Sequence, residues 1–231
     1  TVRIRKNSGY TFVELLVTAA ISLIVLSGIL TFFTHSLKSS HSSLKAVRLN
    51  QELRVIMDVM VRDIRRAGYW SQGDGISINP FSTGAQVIAV SNGNCLIYSY
   101  DSNSDNVIDN NDNQGFKLVG NSVTIRKMSA SCDEHGGRKW ESISDKNTLK
   151  ILGLHFELKE DACLNLTNSG RSCRRIPGPD DTREPGMAGD VVETMYVVGV
   201  TLTGALKNDL SVVDVLKETV SVRNTFSKIL L

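Results

Sequence analysis

The residues able to do chemistry in this 231-residue chain are few and scattered. Its four histidines, His35, His41, His135 and His155, sit in no HExxH, GxSxG or P-loop pattern, so no nucleophile has an evident base and no zinc-protease helix is present. An enzyme is therefore not expected. Its four cysteines are Cys95, Cys132, Cys163 and Cys173. No CxxC pair occurs and His135 is the only histidine near a cysteine, so a zinc site is the weaker reading and disulfides the stronger. Of the three possible connectivities, Cys95–Cys132 with Cys163–Cys173 is preferred because each closes a local loop.

One stretch has the oxygen spacing of a cation loop. Asp101, Asn103, Asp105, the carbonyl of Val107, Asp109 and Asp112 follow the alternation by which calcium loops collect oxygen ligands. The departures are Asn106 in place of the usual glycine and Asp112 in place of a bidentate glutamate. The flanks read as strands, not as the paired helices of an EF-hand. Calcium is thus a candidate cofactor, and a polar turn rich in Asx residues is the competing reading.

These groups must be positioned by the rest of the chain, and the remaining candidate, Glu14, stands in unusual surroundings. From residue 10 to residue 33 the sequence is almost wholly apolar, and after Glu14 the next charged residue is Lys38. A run of this length can span a bilayer, which takes about 20 apolar residues. Arg3, Arg5 and Lys6 precede it with no acid, which keeps that end cytoplasmic and exports the remainder. An unpaired carboxylate inside the span is costly, so Glu14 needs either a headgroup-level position or a partner. A plain signal anchor is the simplest reading; the small-residue cleavage site of a secretory signal is missing after the apolar run.

The segment Ser8-Gly9-Tyr10-Thr11-Phe12-Val13-Glu14-Leu15-Leu16 resembles the class III signal of type IV pilins and pseudopilins. The resemblance implies cleavage between Gly9 and Tyr10, methylation of the Tyr10 amine by a prepilin peptidase, and a register role for Glu14. In that role its carboxylate would pair with the Tyr10 amine of a neighbouring subunit, two charges tolerable in apolar surroundings only together. Loss of a leader carrying Arg3, Arg5 and Lys6 takes the net charge from +2 to −1, so neither form suggests nucleic acid as a partner.

Apolar residues continue at helical spacing through Leu37, Leu44, Val47, Leu53, Ile56, Met57, Met60, Val61 and Ile64, and Gly68 is a suitable stop. One helix over residues 10–67 is expected, its second half lying on a folded domain. Beyond Gly68 short β-rich runs at 86–91, 95–100, 116–119, 122–127, 149–158, 191–202 and 217–223 alternate with turns, among them Asn92-Gly93 and Gly120-Asn121. Three prolines between Pro177 and Pro185 mark a long exposed loop. The order of elements predicts an α+β fold with an antiparallel sheet on the helix stripe. The expected divisions are a leader (1–9), a membrane or filament-core helix (10–33), its amphipathic continuation (34–67) and a β-rich periplasmic domain (68–231).

Further segments resemble PilW-type minor pilins of type IV pili: residues 60–70 ending Arg65-Arg66-Ala67-Gly68-Tyr69-Trp70, residues 95–101, residues 115–118 and residues 220–224. The resemblance implies a pilin-like structural role in a priming or tip complex, first in the inner membrane and then in the pilus. Its implied partners are the prepilin peptidase and other major and minor pilins. A minor pseudopilin of type II secretion shares the signal and the helix. A tip adhesin is the third alternative, with Arg171, Arg174, Arg175 and the proline-rich loop as contact surface.

Overall fold

The computed structural model describes residues 9, 11–71, 79–82, 87–134 and 139–230. Tyr10, His135, residue 86 and the basic residues Arg3, Arg5 and Lys6 lie outside them. The chain forms two units, Thr1–Val47 and Arg48–Leu231.

A single helix, α1 (Phe12–Ile64), supplies the helical part of both. It starts where a hydroxyl can cap it: Thr11 Oγ1 accepts the backbone N–H of Glu14 at 3.3 Å. Thr11 and Glu14 are spaced as a capping box, and an acid in the first turn faces the positive end of the helix dipole. Within the first unit every described residue is exposed, including Leu15, Leu16, Ile21, Leu26, Leu30 and Phe33. The few hydroxyls among them turn inward on their own helix. Thr18, Ser22, Ser27, Thr31 and Thr34 each donate to a carbonyl three or four residues earlier. No polar side chain between Thr18 and Thr34 is thus left to be solvated by a hydrocarbon, the condition for crossing one.

In the second unit α1 buries Leu49, Leu53, Ile56, Met57, Met60 and Ile64. The expected stripe was longer. Leu37, Leu44 and Val47 keep the helical spacing yet are exposed, because the residues that bury the stripe belong to the unit beginning at Arg48. Leu49, one residue off the predicted series, is fully buried.

Among the described residues nine strands form two antiparallel sheets rather than one. The first runs β1 (Ala89–Ser91), β2 (Cys95–Ser99), β3 (Asn113–Val119), β4 (Ser122–Arg126) and β5 (Trp140–Ser142), in that order. The second centres on β7 (Val191–Leu206), which pairs along its length with β6 (Leu149–Asn165). Its other edge is shared by β8 (Asp209–Ser221) and β9 (Phe226–Ile229). The turn residues expected to join β1 to β2 and β3 to β4 do so, with Asn92, Gly93 and Gly120 at φ of 51°, 69° and 60°. Sequence patterning missed β5 and β9, which are three and four residues long, and began the eighth strand eight residues late, at Lys217 instead of Asp209.

The helix face and both sheets contribute to one apolar cluster, in which Leu53, Met60 and Ile64 join Leu96, Tyr98 and Phe116 of the first sheet and Ile151, Phe156, Val200 and Leu202 of the second. The approach of α1 to β7 is close. A Cβ on Gly204 would stand 2.7 Å from Leu53 Cδ2, so the absent side chain is what lets the helix settle there. The architecture is α+β and pilin-like: a long N-terminal helix packed against antiparallel sheets.

Candidate functional site

The two ends of α1 have different tasks. The exposed apolar half carries the residues expected to be processed and assembled, and the buried half fixes that helix to a folded domain. Gly9 is exposed, as is Glu14 in the first turn. The helix that begins at Phe12 is long and apolar enough to cross a membrane.

Anchorage depends on one carboxylate. Asp63 lies beside Ile64 on the rim of the buried face, and its two oxygens accept the hydroxyls of Tyr98 at 2.6 Å and Tyr100 at 2.7 Å. Tyr98 stands on the core side of β2 and Tyr100 directly follows the strand, two residues on and also buried in the core, so both hydroxyls reach one acceptor. Burial, reinforced by the Asp63 charge and its hydrogen bond, pushes both phenols well above their ordinary range. Arg66, one turn on, lies over the Tyr100 ring with its guanidinium carbon 4.2 Å from the centroid.

The segment Ala67-Gly68-Tyr69-Trp70 then turns the chain. Gly68 adopts φ +72°, the left-handed conformation in which glycine ends helices without strain. Its N–H donates to the Ser99 carbonyl at 2.7 Å and its carbonyl accepts Asn79 Nδ2 at 2.7 Å. Asn224 Nδ2 reaches the Ala67 carbonyl at 2.9 Å, and the Arg223 N–H that of Arg65 at 3.3 Å. The carbonyls of Arg65 and Ala67 are therefore held by the turn before β9, and the Gly68 N–H by β2. Ala67 is buried, whereas Tyr69 is 39% exposed and is no core residue.

Helical periodicity does not single out Asp63. The available signal was the pairing of an acid at the edge of an apolar stripe with two tyrosines at strand spacing.

The predicted cation loop follows directly, and its carboxylates point in separate directions. Asp101, fully buried, turns Oδ2 to the Ser71 hydroxyl at 2.7 Å. Burial alone would raise its carboxyl; hydrogen bonds from Ser71 and from the backbone of Asn106 and Ser104 outweigh that and hold it low. Asp112, also buried, accepts the Ser102 N–H and hydroxyl on Oδ1 and the Asp109 N–H on Oδ2. Asp105 accepts the Val107 N–H at 2.8 Å, Asp109 that of Asn111, and Asn103 donates to Asp105. Among the described residues no group of three or more His, Cys, Asp or Glu is arranged to hold a metal ion. The spacing that suggested calcium here builds successive Asx turns, and Asn106, at φ +65°, takes the left-handed position that glycine fills in calcium loops.

Cys95 and Cys132 are joined, as are Cys163 and Cys173. The first bridge adjoins a small apolar cluster with Ala130 and Trp140, and Lys117 Nζ closes over it onto the carbonyls of Cys132 and Glu134. The second lies under the proline-rich loop, which is tied down. Arg171 pairs with Asp190, Arg174 with Glu160, and Asp181 accepts Arg183 and the Ser172 hydroxyl. The Arg183 and Ser172 hydrogen bonds hold the Asp181 carboxyl well below the usual range. Arg171 and Arg174 are thus neutralised within the domain, which takes away much of the basic contact surface expected there. His35, His41 and His155 are exposed, the first two on α1 and the third on β6.

Two family models match. One, described as prepilin peptidase-dependent protein B, covers residues 42–222. The chain belongs to that family. The second, the prokaryotic N-terminal methylation motif, covers residues 4–30, on the segment with Gly9, Tyr10 and Glu14. The family member from Escherichia coli (strain K12), prepilin peptidase-dependent protein B, is 24% identical over 151 residues, which are 63% of this chain and 75% of that protein. No solved structure matches the chain. The methylation motif, the family and the single long helix make it a type IV pilin-like protein, a class whose members are structural.

Proposed function

We propose that the chain is a minor pilin of PilW type, a structural component of the complex that primes or tips a type IV pilus. Its leader is cut between Gly9 and Tyr10 by the prepilin peptidase, which also methylates the new Tyr10 amine. Residues 10–33 hold it in the inner membrane, residues 34–67 continue that helix and residues 68–231 form the periplasmic domain. It then enters the filament through α1 contacts with other pilins. The observation that carries this reading is the methylation motif at residues 4–30 joined to an apolar helix whose later residues, Leu49 to Ile64, are anchored in a family-matched domain. Two disulfides in that domain agree with an exported, oxidising location.

Glu14 has a physical reason to act in register. Its carboxylate is exposed in the first helical turn among apolar neighbours, and the amine created at Tyr10 would be the nearest complementary charge on an adjoining copy. The deciding measurement is the mass of the N-terminal peptide of membrane-extracted protein, with and without an active prepilin peptidase. A chain that begins at methylated Tyr10 only when the peptidase is active supports the proposal. An uncut leader in both overturns it. In the corresponding deletion strain, lost surface pili assign the protein to the pilus, whereas secreted enzymes retained in the periplasm assign it to type II secretion.

A further inference from the structure

The capped end of α1 carries more positive charge than a helix end needs. Arg62, Arg65 and Arg66 from the last turns meet Arg223, whose backbone is bonded to Arg65, around an open cleft of about 550 Å³. All four arginines are exposed, and among the described residues none lies within 4 Å of a carboxylate. One cation near a helix C-terminus is enough to complement the dipole. Among the described residues four guanidiniums face one acid in the lining, Asp101, so the arginines outnumber it and repel one another. Arg66 is held in place by the Tyr100 ring, so part of the array is organised before any ligand arrives.

We infer that this cleft binds an acidic polypeptide segment that presents at least two carboxylates. The planar guanidinium fork matches a carboxylate with two parallel hydrogen bonds, and several forks on one wall favour several such groups. The volume is far more than one small oxyanion fills, since a water molecule occupies only about 30 Å³. Tyr69, 39% exposed, adds an apolar wall that suits a peptide. The Asp101 carboxylate in the lining opposes a ligand with unbroken phosphate charge, such as nucleic acid, but not a segment in which acids alternate with neutral residues. The site is independent of filament assembly: a chain that failed to be processed or assembled would still bind.

The test uses full-length protein in mild detergent and a fluorescein-labelled Glu-Gly-Glu-Gly-Glu-Gly-Glu-Gly peptide, read by anisotropy. Saturable binding is expected, weakening as salt rises. The double variant Arg62→Gln/Arg65→Gln should weaken it about tenfold or more, as loss of charge-assisted hydrogen bonds requires. The charge-matched control Arg48→Gln/Arg54→Gln, on the same helix outside the cleft, should bind like the parent. Circular dichroism checks that each variant is folded, and Arg223→Gln, on a different element, provides a second cleft variant should the first not fold. No saturable binding, or an equal loss in the control, overturns the assignment. Displacement of the peptide by inorganic phosphate or a DNA duplex at lower concentration than by the same peptide unlabelled also overturns it.

Discussion

Replacement of Asp63 should loosen the attachment of α1 to its domain more than any other single polar change on the helix. The carboxylate accepts two tyrosine hydroxyls at 2.6 and 2.7 Å, lengths at the short, charge-assisted end of O–H···O bonding. A hydrogen bond to a charged group contributes about 1.5–3 kcal/mol, and a buried hydroxyl left without an acceptor costs about 1–3 kcal/mol. Tyr98 is fully buried and finds no substitute, while Tyr100 is less enclosed and can recruit water. Asp63→Ala should therefore cost about 3–5 kcal/mol, a large share of the roughly 5–15 kcal/mol that holds a domain together. Asp63→Asn should cost about 2 kcal/mol, because the amide keeps one acceptor but turns a donor toward the other hydroxyl. Tyr98→Phe should cost about 1.5–2 kcal/mol on its own. Urea unfolding followed by tryptophan fluorescence suits the measurement, since Trp70 and Trp140 both lie in the second unit and the apolar half of α1 has no tryptophan. The cycle formed by Asp63→Asn, Tyr98→Phe and the double variant should give a coupling of about 1 kcal/mol or more, whereas independent sites add within about 0.5 kcal/mol. Additivity within that margin would refute the claim that Asp63 fastens the helix through Tyr98.

Two further expectations follow from the same chemistry. Burial raises the Tyr98, Tyr100 and Tyr196 phenols, aided in the first two by Asp63 and in the third by Glu160. A phenol whose folded pKa exceeds its unfolded value near 10 lends stability that is complete below about pH 10 and is lost as pH rises beyond it. Three of the five tyrosines should thus show no tyrosinate absorbance at 295 nm until the domain unfolds, and a smooth titration of all five near pH 10 in folded protein would contradict this. Millimolar calcium should leave the melting temperature unchanged, because Asp101 Oδ2, Asp105 Oδ1, Asp109 Oδ1 and both oxygens of Asp112 already accept hydrogen bonds within their own loop or from Ser71. A saturable rise in melting temperature with calcium, abolished by Asp112→Asn, would restore the cation reading.

What was legible in the sequence was whatever local rules decide. Asn92-Gly93 and Gly120-Asn121 ended their strands, because the conformations those turns require are properties of the residues themselves. Gly68 stops α1 for the same reason. Where α1 becomes buried was not legible, since Leu44 and Val47 obey the helical period as well as Leu53 does; burial begins only where a sheet is present to cover the stripe. The same distinction separates the two halves of the candidate site. A methylation motif is read by an enzyme as local sequence, so residues 4–30 reveal it directly. The anchor needs Asp63, Tyr98 and Tyr100 to meet across 35 and 37 positions, and the arginine cleft needs Arg223 to return to Arg65. Such meetings are products of topology, and composition conceals them: Asp63 is one acid among 24, and four arginines disappear among 26 cations. The Asp/Asn loop shows an informative spacing with two physical uses. Oxygens at alternate positions bind a cation when they converge and build Asx turns when each folds back on its own backbone, and the N–H donors of Ser102, Val107, Asp109 and Asn111 take the turn geometry.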